Sequence, residues 1–354
     1  MHASVRALPA LALGVAIPAA VLVGALAIPA QAAPAAATPT AQQLLERIAG
    51  SGDRQYSGTI RQTSALGLPQ LPSAGPGAAS SDDSGIIDLV TAPHTAKLYV
   101  DGPARQRIQV LDQLAERDVV RDGSSVWIWD SKQKTAEHVL LPSRTAATPT
   151  PATPTDLAKH LLASVDDSTK VTVATGTTVA GRQVDRLVLT PRTDQTLVAK
   201  AVVSVDQATG VPLRVAVDAR GQSGDAVAMG FTDVSFSKPD AKLFAFTPPS
   251  GAKVTTKDLS QRSTAAKPDH LNPDAGARGA PTTSGTGWAS IVTVSAKLPS
   301  RVTGDPLFGE LTTSVPGGRA LQTSLVSVLV TDDGRVLAGA VPVPALEAAA
   351  RPTP

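Results

Sequence analysis

Beyond His2, four histidines (His94, His138, His160 and His270) and three acidic doublets (Asp82-Asp83, Asp166-Asp167 and Asp332-Asp333) are the residues best suited to chemistry in this chain. Imidazoles and carboxylates can move protons or hold a metal ion. Their spacing argues against both uses. No two of these histidines stand four apart, and scattered single imidazoles do not converge on an ion. Each doublet adjoins Ser or Gly, where aspartate favours bonding its own backbone in a turn. The nucleophile elbow G-x-S-x-G fails at its last position in "GQSGD", residues 221–225. No Gly-Lys pair offers a phosphate loop, and "GPGAAS" at 75–80 lacks the third glycine of a dinucleotide fingerprint. There are no cysteines, which excludes disulfides, thiolate metal sites, a Cys nucleophile and a lipidated N-terminal Cys. A formal net charge of +2 without blocks of like charge gives no sign of nucleic-acid binding. The expectation is a protein without catalytic residues, metal or cofactor.

What remains is apolar patterning. Hydrophobic residues make up 42% of the chain but aromatic ones only 3%, so the core must be aliphatic. Against that background "RDGSSVWIWDSKQKTAEHVLLP", residues 121–142, carries two of the three tryptophans. On a strand Trp127 and Trp129 share one face, and Val126 and Ile128 the other. A strand with no wet face needs cover on both sides. Upstream, "RQRIQVLD" places Ile108 and Val110 opposite Arg105, Arg107 and Gln109. Downstream, "DLAKHLLASV" at 156–165 reads as a helix capped by Thr155, with Leu157, Leu161, Leu162 and Val165 on one face. These eight residues, Trp127, Trp129, Ile108, Val110, Leu157, Leu161, Leu162 and Val165, are the candidate lining of an apolar ligand cavity, with the helix as its roof. Plain core packing asks for the same residue types, and the sequence does not say which sheet face the tryptophans take.

The elements that would position this lining follow in order. Residues 1–32 read as a signal peptide: an uncharged apolar run from Ala7 to Ala30, then Ala30-Gln31-Ala32 as a small-x-small cleavage site. Its length would also suit an uncleaved anchor, but Pro9, Pro18 and Pro29 weaken a continuous membrane helix. Residues 33–39 form a Pro/Ala tail. "TAQQLLERIAG" is a helix with Thr40 as N-cap and Gln43 completing a capping box. Eleven or twelve short strands then run from Tyr56 to Phe246, the last at 243–247, consecutive and hairpin-linked and therefore antiparallel. A loop at 67–85 and a Pro/Thr insert at 143–154 interrupt them. The large domain is expected over 40–256, a linker rich in Ser, Thr, Pro, Gly and Lys over 257–287, and a small α+β unit over 288–354.

Two stretches resemble the LolA-like family of lipoprotein and lipid carriers. The tryptophan hairpin is similar to that family's D-G-x-x-x-W-x-[YW]-[DN] pattern, at Asp122, Gly123, Trp127, Trp129 and Asp130. Residues 211–254 are similar to its ending, at Gly210, Pro212, Phe231, Asp233, Val234, Phe244, Phe246, Pro249 and Gly251. "GWASIVTVSAKLP" and "RVLAGAVPVPALEAAA" look like the second domain of MucB/RseB proteins, which act as envelope regulators that bind an anti-sigma factor and sense lipid. The resemblance implies an α+β fold: a curved antiparallel half-barrel of about eleven strands roofed by helices, plus a small C-terminal α+β domain. It implies an exported, non-enzymatic protein of the cell envelope that holds acyl chains of a lipid or lipoprotein. The alternative it implies is a regulator whose partner is an anti-sigma factor or other membrane protein.

Overall fold

The computed structural model describes residues 38–68, 94–112, 115–142, 153–260, 281–295, 298, 303–304 and 306–351. The expected signal peptide, most of the loop at 67–85, most of the insert at 143–154 and the linker core at 261–280 lie outside them. The first helix, α1 (Ala41–Ala49), starts as its sequence dictates: the Thr40 side chain accepts from Gln43 N, and Gln43 returns the bond to Thr40 N. Strands follow as β1 (Gln55–Ser64), β2 (His94–Asp101), β3 (Arg105–Asp112), β4 (Ala115–Asp122), β5 (Ser125–Asp130) and β6 (Thr135–Leu140). Helix α2 (Pro154–Ala163) interrupts them. Then come β7 (Thr169–Val179), β8 (Arg182–Pro191), β9 (Val198–Asp206), β10 (Pro212–Ala219), β11 (Asp225–Ser235) and β12 (Lys253–Asp258).

These twelve strands make one open, curved sheet in the order β12-β6-β5-β4-β3-β2-β1-β11-β10-β9-β8-β7. Bulges in the β1–β11, β10–β11, β9–β10 and β7–β8 pairings bend it. All pairs are antiparallel except β12 with β6, which is parallel. The exception has a simple cause. After β11, near the middle of the sheet, the chain crosses to the far edge before pairing again, and such a crossover permits a parallel ladder. The expected strand at 243–247 is part of that crossing. It is a 3-10 turn, Ala241–Phe244, capped by Asp240, followed by an irregular stretch through Pro248 and Pro249. Proline has no N–H for a ladder, which leaves the two phenylalanines free to serve as a cover.

Helix α2 also begins earlier than its apolar periodicity suggests. Its N-cap is Thr153, not Thr155: Thr153 and Asp156 form a capping box, and Pro154 takes the first helical position. Thr155 lies inside the first turn, buried, 3.3 Å from the Tyr56 hydroxyl. Val165 falls just past the helix end.

The second sheet has six antiparallel strands in the order β13-β14-β18-β17-β16-β15: β13 (Thr282–Ser284), β14 (Ile291–Ser295), β15 (Thr313–Val315), β16 (Gly318–Gln322), β17 (Ser327–Thr331) and β18 (Arg335–Gly339). Helix α3 (Pro306–Leu311) precedes β15, and α4 (Val343–Ala350) closes the chain. Helix α4 packs Leu346 onto Leu329, Leu337, Ala320 and Ile291. "LQTSLVSVLV" is thus two strands, separated by a turn that Thr323 Oγ1 holds through Val326. The two sheets are docked. Leu325 packs with Val198, Ala219 and Ala226, and Ala340 O accepts from Leu197 N (2.8 Å) and Thr196 Oγ1 (2.7 Å). The third tryptophan, Trp288, donates from Nε1 to Thr169 Oγ1 at 2.8 Å.

Candidate functional site

Registers assign every strand residue of the large sheet to a face. Ile60 lies opposite Ala96, Ala96 opposite Val110, and Leu98 opposite Ile108. Ile108 then lies opposite Val119, Val119 opposite Ile128, and Val126 opposite Val139. In the other direction Ile60 faces Phe231, and Met229, Val215, Val203, Leu187 and Val173 follow in adjacent strands. One apolar stripe therefore runs across eleven strands on a single face.

Both helices cover one half of that stripe. Leu44 and Ile48 of α1 and Ala158 of α2 are buried against Leu187, Leu189, Ala201, Val203, Val205 and Val215. Leu157, Leu161, Leu162 and Val165 pack half-buried on the same cluster. Polar pins fix the helices. Arg47 of α1 reaches the Asp185 carboxylate at 3.3 Å, and Gln207 donates to that group at 2.8 Å. Gly210 lets the β9–β10 turn approach α1: at φ +76° any Cβ would stand 2.5 Å from Arg47 O. Near the centre, Tyr56 sits edge-on to Phe231 at 5.9 Å, and burial pushes its phenol up to about 12.

Toward β3–β6 the same face opens. Ile108 and Val126 are buried, but Val110, Val119 and Val139 are half-buried, and Ile128 is 39% exposed. Arg117 and Arg121 flank Val119 on this face, and burial lowers the Arg121 pKa. Of the eight expected lining residues, then, the structure gathers Ile108, Val110, Leu157, Leu161, Leu162 and Val165 on the helix side of the sheet.

It places Trp127 and Trp129 on the other side. Trp127 stacks on His138 at 4.2 Å and meets Phe246 at 5.6 Å; Trp129, 9% exposed, meets Phe246 at 6.4 Å. Phe244, buried, lies over β3 and β4 beneath the Arg105 guanidinium. Arg107 donates from Nε and Nη2 to the two oxygens of Asp118 and from Nη1 to Leu243 O at 3.3 Å, tying the crossing segment down. Burial pushes the Asp118 carboxyl above its ordinary range, against the pull of Arg107. The crossing segment is thus the second cover that a two-faced strand requires. Sequence reasoning missed Ile128, Val119 and Val139 as helix-side residues. Their signal was the alternation itself, with Val126 and Ile128 opposite the tryptophans.

The acidic doublets within the described residues are local structure. Asp166 accepts from Ser168 N at 2.9 Å, and Asp333, held near a pKa of 2 chiefly by Arg335 and Thr331, braces the β17–β18 turn. Among the described residues no group of three His, Cys, Asp or Glu side chains could hold a metal ion.

The large sheet is thus curved, with a continuous apolar stripe on its helix-covered face, and part of it is similar to a known family. Residues 92–247 match the family of outer membrane lipoprotein carrier protein LolA, so the chain carries a LolA-like region. No curated protein matches the chain. Among solved structures, the Pseudomonas aeruginosa MucA/MucB complex is similar at 19% identity and a TM-score of 0.45, covering 88% of this chain and 98% of that one. An uncharacterized conserved protein from Thermus thermophilus is similar at 12% identity and a TM-score of 0.36, covering 61% of this chain and 99% of its own. A LolA superfamily protein from Nitrosomonas europaea is similar at 11% identity and a TM-score of 0.23, covering 59% and 98%.

Proposed function

We propose that this protein is an exported, non-catalytic carrier or sensor that holds acyl chains of a lipid or lipoprotein on the helix side of its large sheet. One observation supports the reading: the apolar stripe, sealed under α1 and α2 at one end, is only partly covered by the described residues over β3–β6, where Ile128 is 39% exposed although Ile108 and Val126 are buried. Covering such a surface with acyl chain contributes about 0.8 kcal/mol per methylene, so the ligand needs few polar contacts. An aliphatic lining without paired acids or imidazoles suits a flexible, chemically featureless ligand.

The test has two parts. Native mass spectrometry of protein purified from its own envelope should show a co-purified acyl lipid. Uptake of a fluorescent fatty acid or lipopeptide should fall at least tenfold in Ile128→Glu, because the ligand would have to desolvate a carboxylate. Wild type that takes up no acyl ligand under any condition ends the carrier reading. In that case the regulatory alternative takes its place, and a single-span membrane partner such as an anti-sigma factor should be recovered with the protein.

A further inference from the structure

The small sheet has its own two-faced strands. In β16, β17 and β18 the residues Ala320, Leu329 and Leu337 lie in register and are buried under α4. Their alternates, Leu321 with Val328 and Arg319 with Val330 and Val336, are in register on the opposite face and only half-buried. That second face is covered by α3, a helix of six residues. The cover leaves a gap: a cavity of about 270 Å³ lies between Phe308 and Leu311 of α3 and Leu321, Val328, Val330 and Val336 of the sheet. Its volume is that of about nine liquid waters, yet its walls are apolar apart from Thr312 and Arg319.

Arg319 stands in that wall with its guanidinium over the Phe308 ring at 5.9 Å. It donates to Thr312 Oγ1, Ser314 Oγ, Gly309 O and Thr312 O, all neutral groups. Among the described residues no carboxylate pairs with it in the way that Asp333 pairs with Arg335 or Asp225 with Arg214. An apolar cavity with a cation in its wall, whose described hydrogen-bond partners are all neutral, complements one kind of occupant, an apolar chain ending in a negative charge.

We propose that the small domain holds a second ligand site, which takes one medium-length fatty acid with its carboxylate at Arg319. The proposal is independent of the reading of the large sheet, since no residue is shared. It is tested on the full chain with a diazirine-bearing decanoic acid, irradiated and mapped by peptide mass. Label is expected on peptides within 306–336. Unlabelled decanoate should displace it about tenfold better than decanol does, and Arg319→Gln should abolish that preference. Leu321→Trp, which fills the cavity, should cut labelling there at least fivefold while leaving labelling of 38–260 unchanged. Because Arg319 also anchors the end of α3, the decanoate-to-decanol ratio in wild type stands as evidence even if Arg319→Gln folds poorly. Label confined to 38–260 overturns this proposal and leaves the carrier reading intact. Label on 306–336 with no preference for the carboxylate also overturns it, as does no label anywhere.

Discussion

Trp129 and Ile128 are neighbours on one strand, and replacing each should do opposite things. Trp129 is 9% exposed against Ala136 and Phe246, so Trp129→Ala removes the largest buried side chain of the outer cover. Truncating a buried tryptophan costs about 3–5 kcal/mol, depending on how far the surroundings relax. Relaxation is limited here. Phe244 and the bond from Arg107 to Leu243 O hold the crossing segment in place, so it cannot simply settle into the gap. The expected loss is therefore about 3 kcal/mol or more, a large share of the ~5–15 kcal/mol that a domain of this kind has in total. Ile128→Glu gives up the partial burial of a side chain already 39% open to water and sets its carboxylate across from Glu137, so the free protein should lose about 1 kcal/mol, well short of the Trp129→Ala loss. Urea unfolding gives the two stabilities, and uptake of a fluorescent acyl probe, normalised to folded protein, gives the two affinities. Trp129→Ala should unfold early yet bind normally when folded; Ile128→Glu should fold normally and bind poorly. If Trp129→Ala keeps its midpoint but loses uptake, the tryptophans face the ligand and the assignment of faces is wrong.

Other outcomes follow from single contacts. Leu161→Glu, in the half-buried inner face of α2, should cut uptake sharply and lower the unfolding midpoint, whereas Lys159→Glu on the exposed face should alter neither, as read by the same probe and circular dichroism. Tyr56, with its phenol near 12, must stay neutral while folded; the unfolded chain ionises near pH 10, so stability should be fully present below pH 10 and fall from there to pH 12. Tyr56→Phe should flatten that alkaline limb in a pH series of thermal melts, at the cost of about 1 kcal/mol for the bond to Thr155. Gly287 sits at φ +53° with Ser168 Oγ only 2.1 Å from where a Cβ would stand, so Gly287→Ala should dislodge Trp288 from Thr169. Calorimetry should then resolve two transitions where wild type shows one.

Much of this architecture is legible in the chain because local rules agree with the fold. The Thr40 capping box, the strand from Arg105 to Asp112 and that from Val198 to Asp206 stand where alternation and capping put them. Where two local rules compete, the better-satisfied one wins: Thr153 outranks Thr155 as a cap because Asp156 can complete its box and Pro154 needs no N–H. Faces are harder. Period-two alternation says that Trp127 and Trp129 point together, but it cannot say which way when Val126 and Ile128 are apolar too. The deciding information lies over a hundred residues away, in Phe244 and Phe246, whose spacing also imitates a strand. Two aromatic pairs at i and i+2, one between turns and one followed by a proline pair, are better read as a strand and its cover than as two strands. The same reasoning applies to the small sheet, where Leu321, Val328, Val330 and Val336 make three strands apolar on both sides. Among the described residues their cover is Leu298 and the six residues of α3, with Phe308 as its one aromatic. A full aromatic cover closes the outer face of the large sheet around Trp129; a short one leaves a cavity beside Arg319. What a two-faced strand does thus depends on how completely a remote segment covers its second face, which the strand itself does not encode.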